Sequence, residues 1–273
     1  MAGSMNDSLV QYSLWDCRCL SSLAVESERA VTYRRRDVGL TLSPRAFALR
    51  VTFGIGGCLV LLHTTAPTAA QTPIVSHNAV VDGTTLHYLE AGAPKSTSVL
   101  LLHGGRFTSE TWRTLGTIAS LVNAGHHVVA LDLPGYGDSE ASTIPRNDYL
   151  HHALEMLWPT SRFLMVSPSM SGGFSLPLVA RHPERVAGYI PIAPVGINDH
   201  LEALMRVDVP TLVMWGGDDQ VIPVSQANIL AQALNGETVI LTGARHAWYL
   251  DRPEEFHRML LDFVAKAIPV GGR

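Results

Sequence analysis

From about residue 73 the apolar positions of the chain fall into a regular alternation of short runs and helical spacings. Ala79 to Leu89 reads as two short strands around Asp82-Gly83, a dipeptide that favours a tight hairpin because both residues tolerate positive φ. Ser98 to His103, His127 to Leu131, Phe163 to Val166, Tyr189 to Ile192, Thr211 to Trp215 and Thr238 to Leu241 are apolar runs of strand length. Between them the period changes. Trp112, Leu115, Ile118, Ala119 and Val122 recur at helical spacing until Gly125 stops them. Weaker or shorter helical patterns cover Asp148 to Leu157, Ser171 to Ala180 and Ser225 to Leu234. The last, Pro253 to Ile268, turns Phe256, Met259, Leu260, Phe263 and Ala267 inward. Near-continuous apolar strands alternating with helices predict an α/β fold, a mostly parallel sheet covered by helices on both faces. The segment from Pro194 to Pro210 is too short for a large cap domain.

Upstream the pattern differs. Residues 1–44 have no sustained period and contain the run Arg34-Arg35-Arg36. From about 46 to 70, a basic flank at Arg45 and Arg50, the apolar run Val51 to Leu62 and a Thr68-Ala69-Ala70 ending resemble a secretory signal cleaved near Ala70. The run is short for a spanning helix, which needs about 20 apolar residues. It begins deep in the chain, so three readings stay open: residues 1–44 precede the real start, the stretch is an uncleaved anchor, or it is a short buried helix behind a disordered leader. The expected division is a leader over 1–72 and a catalytic domain over 73–273. A signal would place the protein in the periplasm or outside the cell, and otherwise it stays in the cytoplasm.

Composition narrows the chemistry. The 273 residues are 47% hydrophobic and 16% charged, enough to bury a sizeable core, and the net charge is −4. No basic field exists to recruit nucleic acid, and membrane contact is expected only through an uncleaved anchor. Cys17, Cys19 and Cys58 all lie upstream of the domain, which excludes a cysteine nucleophile, a disulfide staple or a thiolate metal site within it. Twelve histidines show no metal-ligand spacing with a matching carboxylate, so neither metal nor cofactor is expected.

Three residues then stand out, each just beyond a strand. Ser167-Pro168-Ser169-Met170-Ser171 lies between a strand and a helix. A sharp turn there lifts its central side chain above the sheet and tolerates only small residues two before and two after it. That rule selects Ser169 as nucleophile and leaves Ser167 and Ser171 for packing, although a serine-rich helix cap would look similar. His246 follows the Thr238 to Leu241 strand and is placed to take the serine proton. Asp219, preferred to its neighbour Asp218, would orient that histidine, whereas Asp132 is expected to order the loop after its own strand. The chain order Ser, Asp, His differs from that of the chymotrypsin and subtilisin types and is the α/β-hydrolase order. Gly104-Gly105 after the third strand offers a second N–H for an oxyanion hole, Gly105 partnering Met170. Arg106 and Trp248 are candidate substrate contacts.

These segments carry a resemblance. VLLLHGGRFTSETWRTLGTIASLVNAGHHVVALDL (99–133), SPSMSGGFSLP, YIPIAP and ARHAWYLDRPEEFH are similar to the α/β hydrolase domain-containing protein 14 subfamily, over about residues 75–268. The resemblance implies the α/β-hydrolase fold, Ser169, Asp219 and His246 as a triad, and Gly105 and Met170 as oxyanion donors. It implies hydrolysis of small acyl esters and, for one member, an acyl-transfer or lysine-deacetylase role. The chain departs from the subfamily in a short loop before the elbow and in Ala247-Trp248-Tyr249 after the histidine, both beside the acyl pocket. The expected function is a serine esterase acting on a small acyl substrate through an acyl-enzyme. The alternatives are an acyl transferase, deacylase or lactonase on the same triad, or a binding-only member of the fold.

Overall fold

The structure, a computed structural model, describes residues 72–270. The signal-like stretch at 46–70, the residues before it and all three cysteines lie outside the described residues. Among the described residues no helix is long and apolar enough to cross a membrane.

The chain runs β1 (Val75–Val81), β2 (Thr84–Ala91), β3 (Thr97–Leu101), α1 (Glu110–Thr114), α2 (Thr117–Asn123), β4 (Val128–Leu131), α3 (Arg146–Leu157), β5 (Arg162–Pro168), α4 (Gly172–Arg181), β6 (Val186–Ile192), α5 (Ile197–Leu204), β7 (Leu212–Gly216), α6 (Ser225–Ala233), β8 (Glu237–Leu241), α7 (Trp248–Asp251) and α8 (Pro253–Ala267). The strands form one sheet in the order β1-β2-β4-β3-β5-β6-β7-β8. β1 and β2 pair antiparallel, as do β2 and β4, and the remaining neighbours are parallel. The hairpin turns where the sequence places it, with Asp82 and Gly83 both at positive φ (46° and 80°).

Alternation at period two explains the continuous apolar runs. In β3, β4 and β5, Leu100, Val129, Leu131, Phe163 and Met165 face one core, while Val99, Leu101, Val128, Ala130, Leu164 and Val166 face the other. Tyr149, Leu154, Phe174, Leu204 and Leu230 from α3 to α6 close the first face. Trp112, Ile118, Leu121, Trp248, Phe256 and Leu260 from α1, α2, α7 and α8 close the second. From β3 to β7 helices cover both faces, so those strands show no polar stripe.

One local expectation is corrected. The helix expected over 112–122 is broken: Gly116 takes φ 76° between α1 and α2, yet Trp112 and Ile118 still pack into the same core. The stretch between Pro194 and Pro210 holds an eight-residue helix, α5, with Ile197, Leu201 and Leu204 on its inward side.

Asp132, at the end of β4, anchors the loops around the carboxyl edge. Its Oδ1 accepts the Ser109 N–H at 2.6 Å, and its Oδ2 accepts the Asp138 N–H at 3.0 Å and the His87 Nδ1–H at 2.8 Å. Burial alone would raise its pKa, but these donors outweigh it and hold the carboxyl below the usual range. His87, Asp132 and Asp138 lie within metal-ligand reach of one another, yet the Asp132 oxygens and the His87 Nδ1 are already committed to this hydrogen-bonded anchor. Gly137, at φ 55°, passes so close that a Cβ there would be driven into the Asp132 carboxylate. Gly137→Ala is therefore expected to lower unfolding free energy by about 3 kcal/mol or more, through strain and loss of a buried anchor. Urea denaturation checks this, and a variant within about 0.5 kcal/mol of the parent would contradict it.

Candidate active site

β5 ends in a tight turn, residues Ser169–Ser171, that leads into α4. Ser169 sits at φ 51°, a left-handed conformation that costs a residue with a Cβ about 1–3 kcal/mol and recurs at functional sites. The flanking small residues make the turn possible. Gly172 lies so close to Pro194 and Val195 that a Cβ there would approach Pro194 Cβ to 2.6 Å, and Val195 N–H donates to the Ser169 carbonyl at 3.0 Å.

Ser167 and Ser171 are fully buried, as packing residues should be, but they also bond. Ser171 Oγ donates to the Pro168 carbonyl at 2.8 Å. A carbonyl only accepts, and each hydroxyl has one proton, so the rest of the chain has a fixed direction. Tyr189 OH donates to Ser175 Oγ (2.8 Å), Ser175 to Ser167 (2.7 Å), and Ser167 to Ser171 (2.9 Å). This buried wire ends on the residue before Ser169 and braces the strained turn from below. Sequence reasoning used only the small size of the serines. The available signal was a tyrosine inside the apolar strand β6.

His246 arrives from the loop after β8. Its Nε2 lies 2.8 Å from Ser169 Oγ and its Nδ1 2.7 Å from Asp219 Oδ2. The carboxylate accepts, so the proton sits on Nδ1 and the lone pair of Nε2 faces the serine hydroxyl. The Asp219 side chain is 0% exposed, and its Oδ1 accepts the N–H groups of Val221 (2.8 Å) and Ile222 (3.0 Å). Asp218 is exposed, and its backbone N–H donates to the Ala244 carbonyl at 2.9 Å. Gly216, the last residue of β7, lets this meeting happen: a Cβ there would collide with the carbonyls of Ala244 and Arg245, the two residues that lead to His246.

The Gly104-Gly105 loop lies against the same turn. The positions of a Gly104 Cβ and of a Gly105 Cβ come within 3.7 Å of Ser169 Cβ and Met170 Cβ respectively. Among the described residues, neither Gly105 N–H nor Met170 N–H is taken up by a loop or cap hydrogen bond. His103, buried at the end of β3, holds the loop. Its Nδ1–H donates to the Gly104 carbonyl at 2.9 Å and its Nε2 accepts Leu133 N–H at 2.9 Å. Burial pushes its pKa down, which keeps the ring neutral and able to do both.

The two candidate substrate contacts separate. Arg106 is exposed at φ 69° and lines an open cleft of about 370 Å³ with Phe107, Thr108, Thr111, Leu115 and Leu250. Trp248 does not reach the opening. It is 0% exposed, with its ring edge-on to Phe256 in the second core, because α7 turns it inward directly after His246. A second cleft of about 380 Å³ lies on the Asp219 side, between Pro194 to Asp199 and Ile222, Pro223 and Gln226.

Residues 99–194 match the model of the alpha/beta hydrolase family. Protein ABHD14A of Danio rerio is 44% identical over 174 residues, 62% of this chain and 64% of the fish protein, so the chain spans just under two thirds of that relative. The Rattus norvegicus protein named "Putative protein-lysine deacylase ABHD14B" is 37% identical over 199 residues, 67% of this chain and 92% of the rat protein. Among solved structures, a CIB-like hydrolase from Thermoplasma acidophilum superposes with a TM-score of 0.67 at 25% identity, covering 71% of this chain and 99% of its own. The strand order, the strand-to-helix turn at Ser169 and these relatives agree: the chain is an α/β-hydrolase of the ABHD14 subfamily.

Proposed function

We propose that the protein is a serine hydrolase that cleaves small carboxylic esters through an acyl-enzyme. The observation that carries this reading is the unbroken chain Ser169 Oγ, His246, Asp219, with both hydrogen bonds short and the histidine in the base tautomer. His246 takes the Ser169 proton as Oγ adds to the carbonyl carbon, and the carbonyl electrons move onto oxygen. The Gly105 and Met170 N–H groups receive that charge, each such donor being worth about 10²–10³ in rate. The intermediate expels the alcohol, which takes the proton from His246, and water then repeats the sequence on the acyl-serine. Among the described residues no large cap covers the two flanking clefts, which suits small or flexible acyl groups and an exposed leaving group.

The test is covalent. A fluorophosphonate probe should add its phosphonyl group to the tryptic peptide containing Ser169, and Ser169→Ala should abolish the adduct. An unlabelled wild-type protein would sink the proposal. A second reading, amide deacylation, is favoured by the name of the rat relative and uses the same atoms. Comparing an acetyl-lysine peptide with a chain-length series of p-nitrophenyl esters separates the two, since an esterase leaves the peptide intact.

A further inference from the structure

Tyr249 places a hydroxyl beside the nucleophile that nothing above uses. The position a Gly104 Cβ would occupy lies 3.6 Å from Tyr249 Oη, 3.7 Å from Ser169 Cβ and 3.5 Å from Phe107 Cδ2. The hydroxyl and the nucleophile therefore border one small space, over the glycine next to the oxyanion donor Gly105. The ring is held rigidly in the second core: it stacks on Trp112 with centroids 5.5 Å apart and packs against Phe256 at 5.8 Å. Trp112 is fixed in turn by its Nε1–H, which donates to the Leu102 carbonyl at 3.0 Å.

Packing alone does not account for the oxygen. Tyr249 is 3% exposed, and burial drives its pKa upward with no hydrogen bond from the described residues to offset it. The phenol thus stays a neutral O–H donor at any working pH. The oxygen has no hydrogen-bond partner among the described residues and is not one of their fully enclosed unpaired polar atoms, so it keeps an open face while the ring is packed. A donor preorganised in a water-poor wall, without a protein acceptor, is suited to an acceptor that arrives with the substrate.

We infer that the Tyr249 hydroxyl is a third donor to the substrate's carbonyl oxygen, beside the N–H groups of Gly105 and Met170. The inference rests on the serine-hydrolase reading above. As Ser169 Oγ bonds to carbon and its proton passes to His246, the carbonyl oxygen gains charge and the Tyr249 O–H bond to it strengthens. Tyr249 keeps its own proton throughout. The donor comes from α7, three residues after the base, so one short segment supplies both the general base and part of the oxyanion site.

Tyr249→Phe keeps the ring and its stacking, so the variant should unfold at close to the parental temperature. Its kcat for p-nitrophenyl acetate should fall about 10- to 100-fold with KM changed by less than about twofold, the pattern of an interaction made mainly in the transition state. A trifluoromethyl ketone, which adds reversibly to a serine hydroxyl to give a bound oxyanion, should show a Ki raised by the same factor. Gly104→Ala supplies a second variant that leaves the aromatic core untouched. Its methyl fits at ordinary contact distances between the hydroxyl and Ser169, and its loss of rate should not add to that of Tyr249→Phe. Tyr249→Phe at parental kcat, an unchanged trifluoromethyl ketone Ki, or fully additive losses would each overturn the role of Tyr249. In those cases fluorophosphonate labelling of Ser169 would still stand. Absence of labelling in the wild type would instead overturn the hydrolase reading, and the role of Tyr249 with it.

Discussion

Ser169→Ala is expected to lower kcat for p-nitrophenyl acetate by about 10³-fold or more while leaving the fold intact. The substitution removes the one oxygen that His246 Nε2 faces at 2.8 Å. What remains is the proposed oxyanion site and substrate binding, which in sites of this type retain only about 10³–10⁴ over the reaction in water. Stability should change little, because alanine carries the same Cβ as serine into the left-handed conformation at φ 51°. Ser169→Gly makes a useful companion. It should be equally inactive yet more stable, by about 0.5–1 kcal/mol, because glycine takes that conformation without strain, although its looser unfolded chain offsets part of the gain. A stabilised, inactive glycine variant would tie the strain of the turn to the work of its side chain. Either variant retaining near-parental turnover would remove Ser169 from the mechanism.

Asp219→Asn is expected to cost about 10⁴-fold in kcat, and Asp218→Asn to stay within about twofold. The asparagine amide has no orientation that suits the site. If its NH₂ faces His246, the ring must accept at Nδ1 and carry its proton on Nε2, pointing an N–H at the serine it should deprotonate. If its oxygen faces His246, the NH₂ confronts the N–H groups of Val221 and Ile222, which Asp219 Oδ1 now satisfies at 2.8 and 3.0 Å. Asp218 has no such duty: its side chain is exposed and its place is set by the backbone bond to Ala244. Steady-state assays of both variants, with circular dichroism to verify folding, decide the matter. Equal losses at the two positions would mean that the orienting acid has been misassigned.

Some of this was legible along the chain because the cause is local. The Asp82-Gly83 hairpin follows from which residues accept positive φ. The β3 to β7 runs were readable because a strand buried on both faces has no polar register to hide. The elbow was readable because a strand-to-helix turn excludes large residues two positions either side of Ser169, and the carboxyl ends of β7 and β8 brought Asp219 and His246 into view. Where the local rule was incomplete, so was the reading. Helical period alone ran through Gly116, where the chain turns instead, and the short helices α5 and α7 fell below the length at which periodicity is distinctive.

The sequence by itself therefore determined the class of fold, the order of its elements and the residue types that reach the carboxyl edge of the sheet, since each depends on periods and steric rules spanning a few neighbours. Only the tertiary structure decided which of those side chains meet. The close pass of Gly216 beneath residues 244–245 brings His246 to Asp219 rather than Asp218. The inward turn of α7 buries Trp248 and swings Tyr249 toward Ser169, and β6 supplies Tyr189 to the serines under the turn. These are contacts between residues far apart in the chain, 77 positions for Ser169 and His246, fixed by how whole layers pack, and no local pattern encodes which face of a packed element a given side chain will find.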